Sequence, residues 1–141
     1  MAGSSPISGG TTRSSPSYLI SIPARDAAIA AVDEAVPGGR VIAGREVDRV
    51  ARASIASAGL TDHILHRTGH SLGADRVHGM GTNLDDIEFP DDRPLLPGAG
   101  FTVEPGLYWP GRFGMRLEVS AILLQDRLWI TTERQQELTL L

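Results

Sequence analysis

Three of the four histidines in this 141-residue chain lie close together, and two glutamates follow them in apolar surroundings. The histidines are His66, His70 and His78, in a glycine-containing stretch. The glutamates are Glu104 and Glu118, and burying a lone carboxylate among apolar residues is costly. Imidazole nitrogens and carboxylate oxygens are ligands for divalent cations, and one cation can satisfy several such groups. A metal site is therefore the first interpretation of this pattern.

Two strands must bring the glutamates together for that interpretation to hold. Residues 101–104 and 115–119 alternate apolar and polar, as half-buried strands do. Paired antiparallel, they would present Glu104 and Glu118 on one face. Neighbouring carboxylates across two strands repel each other unless one is protonated or a cation lies between them.

A polar cluster without metal is the alternative. Arg116 lies two residues before Glu118 on the same face of the strand and would neutralise one glutamate by itself. Spacing leaves the two interpretations open. The histidines favour a site, because three of them lie in one glycine-rich region of a cysteine-free chain that also has two strand glutamates. Gly69, between His66 and His70, is typical of close backbone approach or an unusual dihedral angle. His63 lies outside the pattern and is interpreted as an ordinary polar residue.

Composition limits the function classes. The chain has no cysteine, which excludes disulfides and thiolate ligands. Its net charge is -4 and its hydrophobic fraction 41%, as in ordinary globular domains. No basic patch predicts a nucleic-acid partner. No apolar run reaches the roughly 18 residues of a membrane span, and the N-terminal residues lack the basic start and apolar core of a signal peptide, so a cytoplasmic location is expected.

The chain divides into a leader over 1–23, interpreted as disordered or a remnant, and a folded part over 24–141. Helices are predicted over 24–36 and 45–58, and strands follow. The strand predictions beyond those above are a wide hairpin over 105–114, a strand pair over 121–124 and 128–132, and an edge strand over 138–141. Helices followed by antiparallel strands indicate the α+β class. Basic and acidic residues along the second helix predict a solvated face: Arg40, Arg45, Arg49, Arg52, Glu46 and Asp48.

The motifs HRTGHSLG, FTVEPGLYW and MRLE, in this order, resemble the C-terminal part of the catalytic domain of the creatinase/prolidase/aminopeptidase P family. The resemblance runs from about Ala24 to the end of the chain and is closest to the Xaa-Pro peptidase branch. It implies a partial pita-bread fold, with two helices packed on a curved antiparallel sheet. The implied activity is metal-dependent hydrolysis of peptides that have proline in second position.

The resemblance also implies a role for each site residue. His70 and Glu104 match metal ligands, with Glu104 also serving as general acid and base, and Glu118 matches the glutamate that bridges two cations. The cations in the family are manganese, cobalt or zinc. The remaining matched residues line the pocket or orient the site: His66 and His78 beside the reacting carbonyl, Tyr108 beside the substrate, and Arg116 as the orienting arginine.

The family uses two further aspartate ligands from an upstream hairpin, and no aspartate precedes Asp26 in this chain. At most one cation is therefore expected, and self-association is expected through an exposed sheet edge. The alternative function is a non-catalytic remnant, either a pseudoenzyme or an oligomerisation module. A metal-free amidinohydrolase of the creatinase type is a third interpretation, disfavoured by the retained glutamates and the HRTGH motif.

Overall fold

The computed structural model describes residues 16–137 of the chain. In this part the helices are α1 (Pro16–Ala35), α2 (Gly44–Ser57) and a 3-10 turn (Thr61–His63). The strands are β1 (Gly100–Val103), β2 (Gly106–Trp109), β3 (Phe113–Arg116), β4 (Val119–Leu123) and β5 (Leu128–Ile130). The helices come first and the strands pair antiparallel, so the predicted α+β class is confirmed.

Helix α1 begins at Pro16 and not at Ala24. The assignment of residues 16–23 to a disordered leader is therefore wrong, since they form the first turns of this helix. Their inner face is buried: Tyr18 is 1% exposed and Ser21 is fully buried. Burial of this face supplies stabilisation that the serine- and proline-rich sequence does not suggest. The rest of the expected leader, residues 1–15, lies outside the described residues.

Helix α2 has nearly the bounds that its apolar stripe predicts, 45–58. Glu46 caps its start, because Glu46 Oε2 accepts a hydrogen bond from Ala43 N at 2.8 Å. The expected solvated face is only partly correct. Asp48 is fully buried in the helix, together with Val47 and other inward residues. The side chain is stable there because it accepts backbone hydrogen bonds from two loops, described below.

Three strands form one sheet in the order β1-β4-β5, and β2 and β3 form a second pair. In the first sheet Val103 faces Val119, and in the second pair Gly106 faces Arg116. Both pairs have the same register, so the chain from β1 through β4 is one long hairpin interrupted briefly between the sheets. Continuing this register across the interruption places Glu104 opposite Glu118, as the sequence predicts.

The strand predicted over 115–119 is divided at that interruption. Strand β3 ends at Arg116 and β4 begins at Val119, so Glu118 lies between the two strands. The predicted hairpin over 105–114 contains strand β2 and the first half of β3. Strands β4 and β5 confirm the pairing predicted around 125–127, whereas the edge strand predicted over 138–141 lies outside the described residues.

The main core lies between the helices and one face of the first sheet. Alternate residues of β4, namely Val119, Ala121 and Leu123, are buried, and the residues between them are half-buried. They pack with inward residues of both helices, including Val32 and Val47. The opposite sheet face is thus left to carry Glu104 and its neighbours.

None of the helices among residues 16–137 has the length and apolar character of a membrane span.

Candidate functional site

Residues 68–72 of the HRTGHSLG motif lie alongside β1 and extend its sheet. Thr102 N donates to His70 O at 2.9 Å, and Glu104 N donates to Thr68 O. Leu72 N donates in turn to the carbonyl of the first residue of β1 at 2.8 Å. This ladder places His70 beside the end of β1, where Glu104 follows.

Gly69 permits that close approach. A Cβ atom added there would lie 2.0 Å from Thr102 O and 3.3 Å from Leu84 Cδ1. Gly69 also exchanges backbone hydrogen bonds with Leu84 on its other side, at 3.2 and 3.0 Å. The glycine is therefore enclosed between two backbone segments, as its position between His66 and His70 suggests.

His70 and Glu104 form the centre of the site. His70 Nε2 lies 3.4 Å from Glu104 Oε1, and the two residues are 8% and 6% exposed. His70 Nδ1 lies 2.9 Å from Ser71 O, a group that only accepts, so Nδ1 carries the hydrogen. In the neutral ring the lone pair is then on Nε2, directed toward Glu104. A carbonyl partner on the other ring nitrogen is also the usual environment of a metal-bound histidine.

Two further groups hold the Glu104 carboxylate. Thr102 Oγ1 donates to Glu104 Oε1 at 2.7 Å, and an Arg116 guanidinium nitrogen lies 3.0 Å from Oε2. The Arg116–Glu104 ion pair realises the polar contact that the sequence allowed as an alternative to metal. Burial acts to lower the pKa of Arg116, but its hydrogen bond to Tyr108 and the carboxylates Glu104 and Glu118 raise that pKa. Arg116 therefore stays charged.

A directed line of hydrogen bonds continues from Arg116. Arg116 Nε, which only donates, lies 3.0 Å from Tyr108 Oη, so the phenol accepts. The phenol hydrogen is then free to point to His66 Nε2, 2.7 Å away. His66 Nδ1 lies 2.6 Å from Arg67 O and therefore carries its own hydrogen. Every hydrogen on the line from Glu104 to His66 is thus assigned by its neighbours.

The remaining predicted residues lie at the margin. The ring of His78 lies 4.1 Å from that of His70 but is exposed, and Glu118 is exposed as well. Among residues 16–137, no three His, Asp or Glu side chains are grouped closely enough to hold a metal ion. The donor chemistry of His70 and Glu104 fits a divalent cation, with Glu118 as the third predicted ligand. The ligand assignment stays a prediction. His63 stacks on Trp109 at 4.2 Å, apart from the site.

Asp48 is the residue that sequence reasoning missed. Its carboxylate accepts from Thr68 N at 2.8 Å and from Asp86 N at 2.9 Å, and so fixes two loops to α2. Burial raises the pKa of Asp48, against the lowering effect of these hydrogen bonds and of Arg52. The available signal was its position beside Val47 at the edge of the apolar stripe.

Comparison with known proteins identifies the family. The model of metallopeptidase family M24 matches residues 18–123. This chain belongs to that family. It is 37% identical over 117 residues to a Xaa-Pro dipeptidase from Lactobacillus delbrueckii subsp. lactis, covering 83% of this chain and 30% of that protein. It is 40% identical over 85 residues to a probable dipeptidase PepE from Mycobacterium tuberculosis, covering 60% of this chain and 21% of that protein.

Solved structures agree with this assignment. The Xaa-Pro dipeptidase from Bacillus anthracis superposes with a TM-score of 0.74 at 30% identity, covering 89% of this chain and 32% of that one. The dipeptidase PepE from Mycobacterium ulcerans gives a TM-score of 0.71 at 32% identity over 88% of this chain and 32% of that one. The M24 chain thus has part of the pita-bread fold, and its family is one of metallopeptidases. It spans a fifth to a third of the length of these relatives.

Proposed function

We propose that this M24 chain binds one divalent cation through His70, Glu104 and Glu118, and that the site hydrolyses peptides with proline in second position. The observation that carries the proposal is the contact between His70 Nε2 and Glu104 Oε1 at 3.4 Å. The hydrogen on His70 Nδ1 leaves the Nε2 lone pair for a ligand bond. The buried carboxylate offers a hard oxygen ligand, and the buried imidazole offers a borderline nitrogen ligand. Such a combination suits manganese, cobalt or zinc.

The substrate class comes from the relatives. Two proteins similar to this chain are named Xaa-Pro dipeptidases, one compared by sequence and one by structure. A peptide with proline in second position presents a tertiary amide, which has no N–H to donate. Recognition must then rely on the scissile carbonyl and on the substrate termini. The charged Arg116 and a ring N–H of the exposed His78 are groups that can bind a carbonyl or carboxylate oxygen, whereas both ring nitrogens of His66 are already hydrogen-bonded to Arg67 O and Tyr108 Oη.

Each residue of the hydrogen-bonded line from Glu104 to His66 has its own role in the proposed peptide hydrolysis. When bound, a divalent cation supplies Lewis-acid activation of water and of the scissile carbonyl. Glu104 takes the proton of the attacking water and returns it to the leaving nitrogen. Arg116 keeps Glu104 oriented, and Tyr108 and His66 extend the hydrogen-bonded line to the substrate side. The exposed ring of His78 completes the wall beside His70.

The test combines metal binding with turnover. We expect calorimetric titration of the purified chain with Mn²⁺, Co²⁺ and Zn²⁺ to show binding that His70→Ala and Glu118→Gln each weaken by about 10–100-fold. We expect hydrolysis of Ala-Pro with added metal, and loss of at least about 100-fold of that rate in Glu104→Gln. Glu34→Gln, which changes an exposed glutamate of α1 away from the site, is the matched control.

Any of three results would refute the proposal. One is an absence of metal binding by the intact chain, and another is an absence of Ala-Pro hydrolysis by the intact chain with added metal. The third is a hydrolysis rate that Glu104→Gln and Glu34→Gln leave equally unchanged, because turnover would then come from a contaminating peptidase.

A non-catalytic role is the second candidate function. It is favoured by the exposure of Glu118 and by the lack of a three-ligand group among residues 16–137. In that case Arg116 neutralises Glu104 permanently as a structural ion pair. The expected result is a folded chain that binds none of the three metals and for which Arg116→Gln lowers stability.

A further inference from the structure

The ring of Tyr108 lies in a space that two glycines leave open. Gly114 is the cross-strand partner of Tyr108, and Gly106 lies two residues before it on the same face of β2. A Cβ atom at Gly114 would lie 2.5 Å from Tyr108 Cδ1 and 2.9 Å from Cε1. One at Gly106 would lie 2.7 Å from Tyr108 Oη and 2.8 Å from His66 Nε2. Carbon atoms in contact normally stay about 3.5–4.0 Å apart, so an alanine at either position must displace the ring.

Backbone conformation does not explain these glycines. The glycines with positive φ in the described part of the chain are Gly39, Gly59, Gly98 and Gly111. Gly106 and Gly114 therefore have dihedral angles that other residues adopt. Glycine inside a strand weakens it and often marks a place where another group approaches closely. Here the approaching group is the ring of Tyr108, which covers the bare backbone of both strands.

The position of the ring decides the position of the phenol. Tyr108 Oη contacts His66 Nε2 at 2.7 Å and Arg116 Nε at 3.0 Å, and Arg116 in turn contacts Glu104. The Tyr108 hydroxyl can hydrogen-bond to His66 and to Arg116 at the same time only in a position that is within hydrogen-bonding distance of both. A methyl group at Gly114 requires the ring to move by roughly 1 Å, the difference between 2.5 Å and an ordinary carbon contact. A displacement of that size would take at least one of these hydrogen bonds beyond hydrogen-bonding distance.

We propose that Gly106 and Gly114 form a slot that positions the Tyr108 phenol between His66 and Arg116, and that through it they orient Arg116 toward Glu104. Both glycines are positioning residues: Gly114 acts through Tyr108, and Gly106 acts through Tyr108 and also through His66, which a Cβ atom at Gly106 would meet at 2.8 Å. The catalytic consequence of the slot rests on the proposed peptidase function. The slot itself is a property of the β2–β3 pair and can be tested without turnover.

The first test observes the phenol directly. We expect Gly114→Ala and Gly106→Ala to shift the Nε2 resonance of His66 in a long-range ¹H–¹⁵N correlation spectrum, in the same direction as Tyr108→Phe. Gly100→Ala is the matched control, because a Cβ atom at this β1 glycine meets its nearest neighbours at 3.6 and 3.9 Å. It should leave the resonance unchanged. An unshifted resonance in Gly114→Ala would overturn the proposal, even if Gly106→Ala shifted it, because a methyl group at Gly106 would contact His66 Nε2 directly.

The second test separates the slot from general strand stability. We expect Gly114→Ala to lower Tm by several °C in the wild-type background. The same substitution should cost almost nothing in a Tyr108→Ala background, because the clashing ring is then absent. An equal loss of Tm in both backgrounds would show that alanine disturbs the hairpin for another reason, and the slot would be rejected.

The third test joins the slot to catalysis. With Ala-Pro and added metal, we expect Gly114→Ala to lower kcat by about 100-fold with little change in KM, because positioning is lost while substrate contacts remain. Gly100→Ala should retain wild-type kinetics. A chain that shows no turnover at all contradicts the peptidase proposal alone, and the resonance and Tm measurements still decide the slot. Unchanged kcat in an active chain would overturn the catalytic part of the inference.

Discussion

At the scale of single residues, one hydroxyl joins both members of the central pair. Thr102 Oγ1 accepts from His70 N at 2.9 Å and donates to Glu104 Oε1 at 2.7 Å. We expect Thr102→Val to lower the free energy of unfolding by about 1–3 kcal/mol, because it leaves two buried polar groups without this partner. Urea denaturation measures the change.

Two controls accompany that substitution. Thr102→Ser keeps the hydroxyl and should recover most of the loss. Thr131→Val removes an exposed hydroxyl that donates to Ser120 O at 3.1 Å, and should stay within about 0.5 kcal/mol of wild type. If Thr102→Val proved as stable as Thr131→Val, the hydroxyl would not be holding His70 and Glu104 in place.

At the scale of elements, Asp48 fastens helix α2 to the loops that carry the site. Its folded-state pKa is raised by burial, so between the ordinary aspartate value of 3.8 and that raised value the folded chain binds the extra proton. Stability from this group is present at low pH and falls as pH rises through the folded-state pKa. We therefore expect the wild type to lose stability relative to Asp48→Asn as pH rises.

The measurement is urea denaturation of both proteins from about pH 4 to about pH 8, with the difference in unfolding free energy plotted against pH. Taking the difference removes the shared titrations of other groups. The absolute offset also includes a lost acceptor, since the amide nitrogen of asparagine cannot accept from a backbone N–H. If the wild type instead gained stability relative to Asp48→Asn as pH rises, the hydrogen bonds from Thr68 and Asp86 would outweigh burial in setting the pKa of Asp48.

Elements were predicted where one periodicity dominated. The apolar stripe of α2 and the alternation in β1 follow directly from burial of one face, so their positions were predictable. Strand β4 instead joins the end of the strand predicted over 115–119 to the start of the strand predicted over 121–124. The division of the strand at Leu117 and Glu118 was not predictable, because alternation continues across it. Asp48 was also missed, since a carboxylate beside an apolar stripe is usually solvated and only tertiary hydrogen bonds make its burial favourable.

At the scale of the whole molecule, the sequence indicated which side chains lie close together at the candidate site, but not how the surrounding elements pack. The motifs indicated His70, Glu104, His66, Tyr108 and Arg116. The fold joins four of them in one hydrogen-bonded line from Glu104 to His66 and places His70 beside Glu104. The early start of α1 was hidden by serine and proline residues, because their propensities oppose the helix that tertiary burial stabilises. Packing over long sequence separations is the information that local patterns do not carry.

Arg25 shows this long-range packing most directly, since it joins α1 to the last described segment of the chain. Its side chain is 1% exposed, pairs with Asp26 at 2.9 Å and donates to Gln135 O at 2.7 Å. One guanidinium nitrogen is buried with no hydrogen-bond partner in the described part of the chain. Burying such a group is unfavourable, so the volume of the side chain contributes more to stability than its charge.

We therefore expect Arg25→Met to be as stable as wild type, within about 1 kcal/mol, or more stable, since methionine fills similar space without a buried charge. Arg25→Ala should lose about 2–5 kcal/mol, because it leaves a cavity beneath the C-terminal segment. Denaturant unfolding compares the two variants, and hydrogen exchange should show faster opening of residues 131–137 in both. If Arg25→Met lost as much stability as Arg25→Ala, the contacts of the charge with Asp26 and Gln135, and not the packing of its stem, would hold α1 and the last described segment of this M24 chain together.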